Sequence, residues 1–208
     1  MTIEGWSEKR LSEVAHVTSG GTPSKNTSEY WDNGTVPWIR TTEVQNSLIT
    51  PDQAAIFISE AGLHNSSAKL FPKGTLLIAM IGQGKTRGQV GLLTFEASTN
   101  QNCAAIILEG TLLPEFYFYY FLSQYKNIRG LSNSAGQSNL SGALIKSLRV
   151  PVPPKKEQEK IAEVLSTWDK AITTTEKLLI NSQQQKKALM QQLLTCLLYT
   201  SDAADDFV

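Results

Sequence analysis

The stretch VPVPPKKEQEKIAEVLSTWD, residues 150–169, divides the chain into two kinds of sequence. Its first five residues, Val150-Pro151-Val152-Pro153-Pro154, cannot continue a helix and favour extended backbone, so they read as a stiff connector. From Lys155 to about Leu194 there is neither glycine nor proline, and charge and glutamine are dense. Within it Ile161, Leu165, Trp168, Ile172, Thr175, Leu179, Ser182, Lys186, Leu189 and Leu193 recur at alternating steps of four and three. That spacing is a heptad seam, apolar at both ends and polar in the middle. About 40 helical residues at ~1.5 Å each make a rod of about 60 Å. A helix with one apolar stripe needs a partner surface. The expected pairing residues are Ile161, Leu165, Trp168, Ile172, Leu179, Leu189 and Leu193.

Upstream of the prolines the texture changes to short apolar runs broken by Gly, Pro, Asn and Ser. Arg10–Val14 suggests a short strand or helical turn, and Thr18–Thr27 a loop dense in turn formers. Strands are expected at Val36–Ile39, Thr75–Ile81, Gly88–Leu93 and Cys103–Leu108. Pro114–Lys126 reads as a helix, with proline near its start and Phe116, Tyr119 and Tyr120 at helical spacing. The expected fold class is α+β: a mixed or antiparallel sheet with long loops, followed by a long coiled-coil-forming helix. No internal repeat is visible.

Composition excludes several classes. Forty-one per cent of the residues are hydrophobic, which argues for a real core. No apolar run approaches the ~20 residues of a bilayer span, and Met1–Arg10 has no signal-peptide core. A cytosolic, reducing location is expected for a chain with only Cys103 and Cys196. Nineteen basic residues balance nineteen acidic ones. Three of those acids, Asp202, Asp205 and Asp206, fall in a C-terminal string, Cys196–Val208, that does not continue the preceding pattern. The string resembles the translated reading frame of a sequencing-library adapter and is set aside as foreign. On that reading the natural sequence runs on past this point, and the remaining chain carries three more bases than acids. Modest positive charge suits a nucleic-acid binder only if it gathers on one face.

Chemistry-bearing motifs are few. Gly82-Gln83-Gly84-Lys85-Thr86 follows an apolar strand and echoes the end of a phosphate-binding P-loop. Residue 79, however, is alanine where the pattern needs glycine, and Gly88 would interrupt the ensuing helix. A nucleotide-binding loop, a loop that grasps a nucleic-acid backbone through Lys85 and Arg87, and a plain hairpin all remain open here. His16 and His64 lie in no motif, and two histidines with one apolar-strand cysteine make no zinc site. No catalytic pair and no cofactor motif is present, so an enzyme is not expected. The distinctive excess is in amide-rich loops, Ser98–Asn102 and Ser132–Asn139. Asn and Gln pair bidentately with adenine, Lys and Arg with guanine, but the same residues also build ordinary turns.

Three blocks taken together resemble the specificity subunit of type I restriction-modification systems. The first runs from Leu11–Val14 through Ser19-Gly20-Gly21-Thr22-Pro23, Tyr30-Trp31, Gly34 and Val36–Ile39 to Thr42-Glu43. The second is Gly84–Gly88 with Asn100-Gln101. The third is Gly136–Leu140, Val150–Pro154, Glu157-Gln158, Ile161 and Leu165–Asp169. The resemblance implies a target-recognition domain over residues 1–154, a spacer helix over 155–195 and a non-native tail over 196–208. It further implies double-stranded DNA as ligand, read as half of a bipartite target in the major groove. Partners would be methyltransferase and restriction subunits, and a second recognition half or a second copy through the long helix. S-adenosylmethionine, ATP and magnesium would be bound by those subunits, with none in this chain. The residues expected at the DNA are Lys85, Arg87, Asn100, Gln101, Asn133, Gln137 and Asn139. The competing reading is a coiled-coil adaptor that binds protein without reading DNA; a nucleotide-binding P-loop protein is a further alternative.

Overall fold

The computed structural model describes residues 4–82, 84–134 and 139–202, with residues 133–134 and 196–202 by backbone alone. The chain falls into two compact units, Met1–Ala162 and Glu163–Val208. In chain order the first contains β1 (Ser7–Arg10), β2 (Ala15–Ser19), β3 (Val36–Ile39), β4 (Ser47–Ile49), β5 (Phe57–Ile58) and α1 (Glu60–His64). There follow β6 (Leu70–Phe71), β7 (Leu76–Ala79), β8 (Val90–Leu93), β9 (Ala97–Thr99), β10 (Cys103–Leu108) and α2 (Pro114–Ser123). Then come α3 (Tyr125–Ser134), α4 (Gly142–Ser147), β11 (Arg149–Val152) and α5 (Lys155–Asp202), which runs on into the second unit. The fold is α+β with mixed sheets and a long C-terminal helix.

A five-stranded sheet, ordered β2-β10-β7-β8-β4, organises the first unit. It is antiparallel except where β4 runs parallel to β8. Its central strands are apolar at consecutive positions because both faces are covered. Leu76 and Ile78 of β7, with Val90, Leu92, Ala104 and Ile106, pack against Phe116, Tyr117 and Phe121 of α2 and Ile128 of α3. Leu77 and Ala79, with Cys103 and Ala105, face the opposite way and meet Ile39, Phe71 and Ala97. Those last three belong to a second sheet, ordered β5-β3-β9-β6.

The proline segment is not a free connector. Residues Arg149–Val152 form β11, which pairs antiparallel with β1 in a two-stranded ribbon. Proline is tolerated there because such a ribbon leaves one side of each strand without a ladder partner. Helix α2 is tied to the same ribbon: the Tyr117 hydroxyl donates to Pro151 O at 2.9 Å and Tyr120 to Arg149 O at 3.1 Å. The start of α5 is locked by Gln158. Its Oε1 accepts the Leu113 N–H at 2.9 Å and its Nε2 donates to Pro153 O at 2.9 Å. Leu113 is the N-cap of α2, which has no side-chain cap of its own, so Gln158 supplies an acceptor to one helix start while anchoring another. Ile161 and Ala162 then pack on the core beneath α2.

Ile161 is therefore taken up by its own unit. The other six expected pairing residues, Leu165, Trp168, Ile172, Leu179, Leu189 and Leu193, are exposed, as are Val164, Leu178, Ile180 and Met190. The helix continues to Asp202 instead of stopping near Leu194, since nothing in residues 195–202 breaks a helix. Among the described residues, no helix is long and apolar enough to cross a membrane.

Candidate nucleic-acid interface

Strand register gathers separate loops at one end of the five-stranded sheet. Ser19, the last residue of β2, pairs with Ala104 near the start of β10; Cys103 pairs with Ala79 at the end of β7; Ile78 pairs with Val90 at the start of β8. The loop after β2, the loop between β7 and β8, and the turn before β10 therefore emerge together. Backbone bonds stitch them: Gly21 N–H to Thr99 O at 2.9 Å, Met80 N–H to Asn102 O at 2.9 Å, and Leu140 N–H to Met80 O at 2.9 Å. The last of these brings the end of the second amide-rich loop to the same place.

The β7–β8 connection settles the reading of Gly82–Thr86. Ala79 N–H donates to Gln89 O at 3.0 Å and Gly88 N–H to Ala79 O at 2.8 Å, so the segment closes an antiparallel hairpin. A P-loop must pass from a strand into a helix whose N-terminus meets the phosphates; here the chain returns as a strand, and that alternative is excluded. Lys85 is exposed at the turn. The hairpin is braced by α3: Tyr125 OH donates to Lys85 O at 2.7 Å and Arg129 Nη1 to Arg87 O at 3.1 Å. Gly88 adopts φ +87°, and a Cβ there would lie 3.3 Å from Arg129 Cβ. A basic tip on a supported stem suits contact with a polyanion.

The amide residues divide. Asn100 is 8 % exposed, and its Oδ1 accepts the Asn102 N–H at 3.0 Å. Its side-chain oxygen shapes the turn, while the residue also lines the groove described below. Gln101 is exposed, and its Oε1 accepts a hydrogen bond from Thr22 Oγ1 across to the β2 loop. Asn139 is exposed beside Leu140. Gln137 lies outside the described residues, and Asn133 is described only as helical backbone in α3.

The loop after β2 is clamped by two indoles. Trp38 Nε1 donates to Gly21 O at 2.9 Å and Trp31 Nε1 to Ser24 O at 3.0 Å, with the rings edge to face at 5.4 Å. The paired glycines are required by close approach: a Cβ on Gly20 would fall 1.9 Å from Thr99 O, and one on Gly21 2.1 Å from Ser67 O. Beside this clamp opens a groove of about 360 Å³ lined by Thr22, Lys25, Trp31, Arg40, Gln101 and Asn102, among others. Lys25 and Arg40 were not expected here from sequence. Trp31, Trp38 and Glu43 had signalled family likeness without showing what they hold. Arg40 follows β3, and Asn100 N–H donates to Ile39 O at 3.1 Å, which joins the end of β3 to the same loops. Its hydrogen bonds to the Glu43 carboxylate raise the Arg40 pKa above the ordinary arginine value.

Cys103 is fully buried in β10, and burial pushes its thiol up to about 12. His64 is exposed 3.5 Å from Glu60, and His16 is exposed on β2. No cluster of three metal-ligating side chains occurs among the described residues.

Comparison with known proteins agrees with this architecture. The family model for the type I restriction modification DNA specificity domain matches residues 3–182. The chain is 31 % identical over 172 residues to the type I restriction enzyme MjaIX specificity subunit of Methanocaldococcus jannaschii, covering 80 % of this chain and 38 % of that protein. It is 30 % identical over 166 residues to the EcoR124I/EcoR124II specificity subunit of Escherichia coli, covering 77 % and 40 %. The crystal structure of the HsdS subunit from Thermoanaerobacter tengcongensis superposes with a TM-score of 0.63 at 17 % identity, over 85 % of this chain and 40 % of that one, a likeness of fold. The chain thus spans about two fifths of the length of the relatives it matches. With a family match running through both the loop cluster and the start of the long helix, the chain belongs to the type I restriction modification DNA specificity domain family.

Proposed function

We propose that this chain reads one half of a bipartite DNA target and performs no chemistry of its own. The observation that carries the reading is the convergence of the three motif-bearing loops at one end of one sheet, with Lys25, Lys85 and Arg87 in those loops and Arg40, just after β3, in the groove beside them. Loops on a rigid sheet give a fixed array of donors, and base edges in the major groove are discriminated by such arrays. Basic residues around them contact phosphate and set orientation without carrying sequence information.

The remainder of the reading concerns partners. The long helix presents an apolar stripe suited to a second recognition half or a second copy. Two readers on one face of B-DNA sit about 34 Å apart per helical turn, and a rod of about 60 Å is long enough to hold them there. Methyltransferase and restriction subunits would join the assembly in the cytoplasm. They would carry S-adenosylmethionine, ATP and magnesium, and with them methylation and cleavage.

Co-expression with cognate methyltransferase subunits, followed by mapping of methylated sites across a genome, tests this directly. The expected result is one interrupted motif, palindromic if two copies of this chain pair. Insertion of one heptad within Lys170–Lys187 should lengthen the gap and leave both half-sites unchanged. Absence of motif-restricted methylation, or an unchanged gap after insertion, contradicts the reading.

A further inference from the structure

Arg40 is held in a way that a solvent-exposed arginine rarely is. Its Nε and Nη2 donate to Glu43 Oε1 at 3.1 and 2.6 Å. Glu43 Oε2 accepts the backbone N–H of Arg40 at 2.8 Å, so the carboxylate grips both ends of the same residue. The Glu43 side chain is 12 % exposed and that of Arg40 is 40 % exposed, so the acid is the covered partner and the guanidinium the presented one. Nη1 has no hydrogen-bond partner among the described residues, and Nη2 retains a second N–H. An ordinary surface ion pair contributes little to stability and loses side-chain entropy in forming. A guanidinium fixed along one edge, by contrast, offers its other edge as a preset fork for two acceptor oxygens.

The surroundings favour a phosphate over a base as the occupant. Arg40 lines a groove and not a projecting tip, together with Lys25, Thr22, Gln101 and Asn102. Base edges lie inside the DNA groove and are reached by elements that project; a phosphate protrudes from the duplex and enters a recess. The Lys25 cation adds a second positive charge to the groove, while among the described residues the acid paired with Arg40 is Glu43, the one that orients it.

Resting on the DNA-reading proposal, we infer that Arg40 clamps one backbone phosphate of the bound duplex, and that Glu43 is the positioning residue that aims it. The clamp fixes the register of the loop cluster on DNA, and base choice is left to the neighbouring amides and the hairpin.

The test is equilibrium binding of the full 208-residue chain to a pool of short randomised duplexes, with salt varied between about 50 and 200 mM. Far-UV circular dichroism and thermal melts confirm folding of each variant. Arg40→Ala should weaken binding about 10-fold across all sequences and lower the slope of log affinity on log salt by about one. Arg40→Lys, which keeps the charge and drops the fork, should fall between and keep the wild-type salt slope. Glu43→Ala removes a negative charge, which alone would favour DNA; weaker binding nonetheless is the signature of lost aim. Tighter binding by Glu43→Ala overturns the positioning role. Arg40→Ala that binds as the wild type does, or that relaxes one base position with the salt slope intact, overturns the phosphate clamp. Failure of the wild-type chain to bind DNA at low salt overturns the underlying reading, and is distinguishable because no substitution is involved.

Discussion

Trp38 and Trp168 show the same side chain put to opposite uses. Trp38 is 6 % exposed, stacked edge to face on Trp31, with its N–H satisfied by Gly21 O. Trp168 is 66 % exposed on α5. The contrast extends to the units around them. Among the described residues up to 162 apolar side chains close cores of their own, whereas along residues 163–195 leucine, isoleucine and tryptophan lie open to solvent. Each such side chain is worth roughly 1.5–3 kcal/mol when fully buried. The first unit buries most of its large apolar side chains within itself, with Leu48, Phe57 and Leu70 among the exceptions. The second leaves its apolar stripe open to solvent, as the proposed pairing through the helix would require.

That difference is open to being broken. The largest effect should come from the loop clamp in the first unit. Gly20→Val places a Cβ against the Thr99 carbonyl, where backbone and not a movable side chain must yield. A loss of roughly 2–4 kcal/mol is expected in denaturant melts. A loss under ~1 kcal/mol would mean that the loop is not held as described.

Alkali should probe the same unit next. Cys103 is raised from 9.0 to about 12 by burial, and Tyr117 from 10.0 to about 12, chiefly by burial. Both groups are neutral when protonated, so the folded state retains protons that the unfolded chain releases. Their contribution is complete below pH ~9 and is lost as pH rises towards ~12. Stability should fall from about pH 9 upward, and Cys103→Ala should remove the earliest part of that fall. A slope unchanged by Cys103→Ala would contradict the assignment.

Tyr117→Phe sharpens the comparison by removing one hydrogen bond without altering the core. The hydroxyl bonds Pro151 O, and its loss should cost about 1 kcal/mol, read as a lower melting midpoint. The smallest effect on folding should come from the second unit. Trp168→Glu should change the stability of the isolated chain by less than ~0.5 kcal/mol while lowering concentration-dependent association in sedimentation. A large drop in folding stability from Trp168→Glu, with association untouched, would erase the distinction between the two units.

How much of this was legible in sequence follows from where the information sits. Strands such as β7 and β10 were legible because both faces are buried, and an apolar run records that locally. The seam of α5 was legible because its period repeats over many turns. Strand β1 was not, for Ser7-Glu8-Lys9-Arg10 is wholly exposed and owes its conformation to β11, far along the chain. The proline segment misled for the same reason: its partner strand does not appear in its own composition. At the site, a hairpin was one of three open readings of Gly82–Thr86, and only the pairing of the returning strand with β7 decides for it. For Asn100 the turn-building alternative was open from sequence, but its burial was not legible, because that depends on β3. Arg40 was missed because its meaning lies in Glu43 and in the groove, and both are set by tertiary contacts.

The loop cluster at the sheet end is expected to meet DNA. Binding of the full chain to duplex DNA, titrated against salt for the wild type and for Lys85→Ala/Arg87→Ala, tests it most directly. Affinity should fall linearly in log salt, with a slope reduced by about one for each phosphate-contacting cation removed. Affinity indifferent to salt and to both substitutions would contradict it.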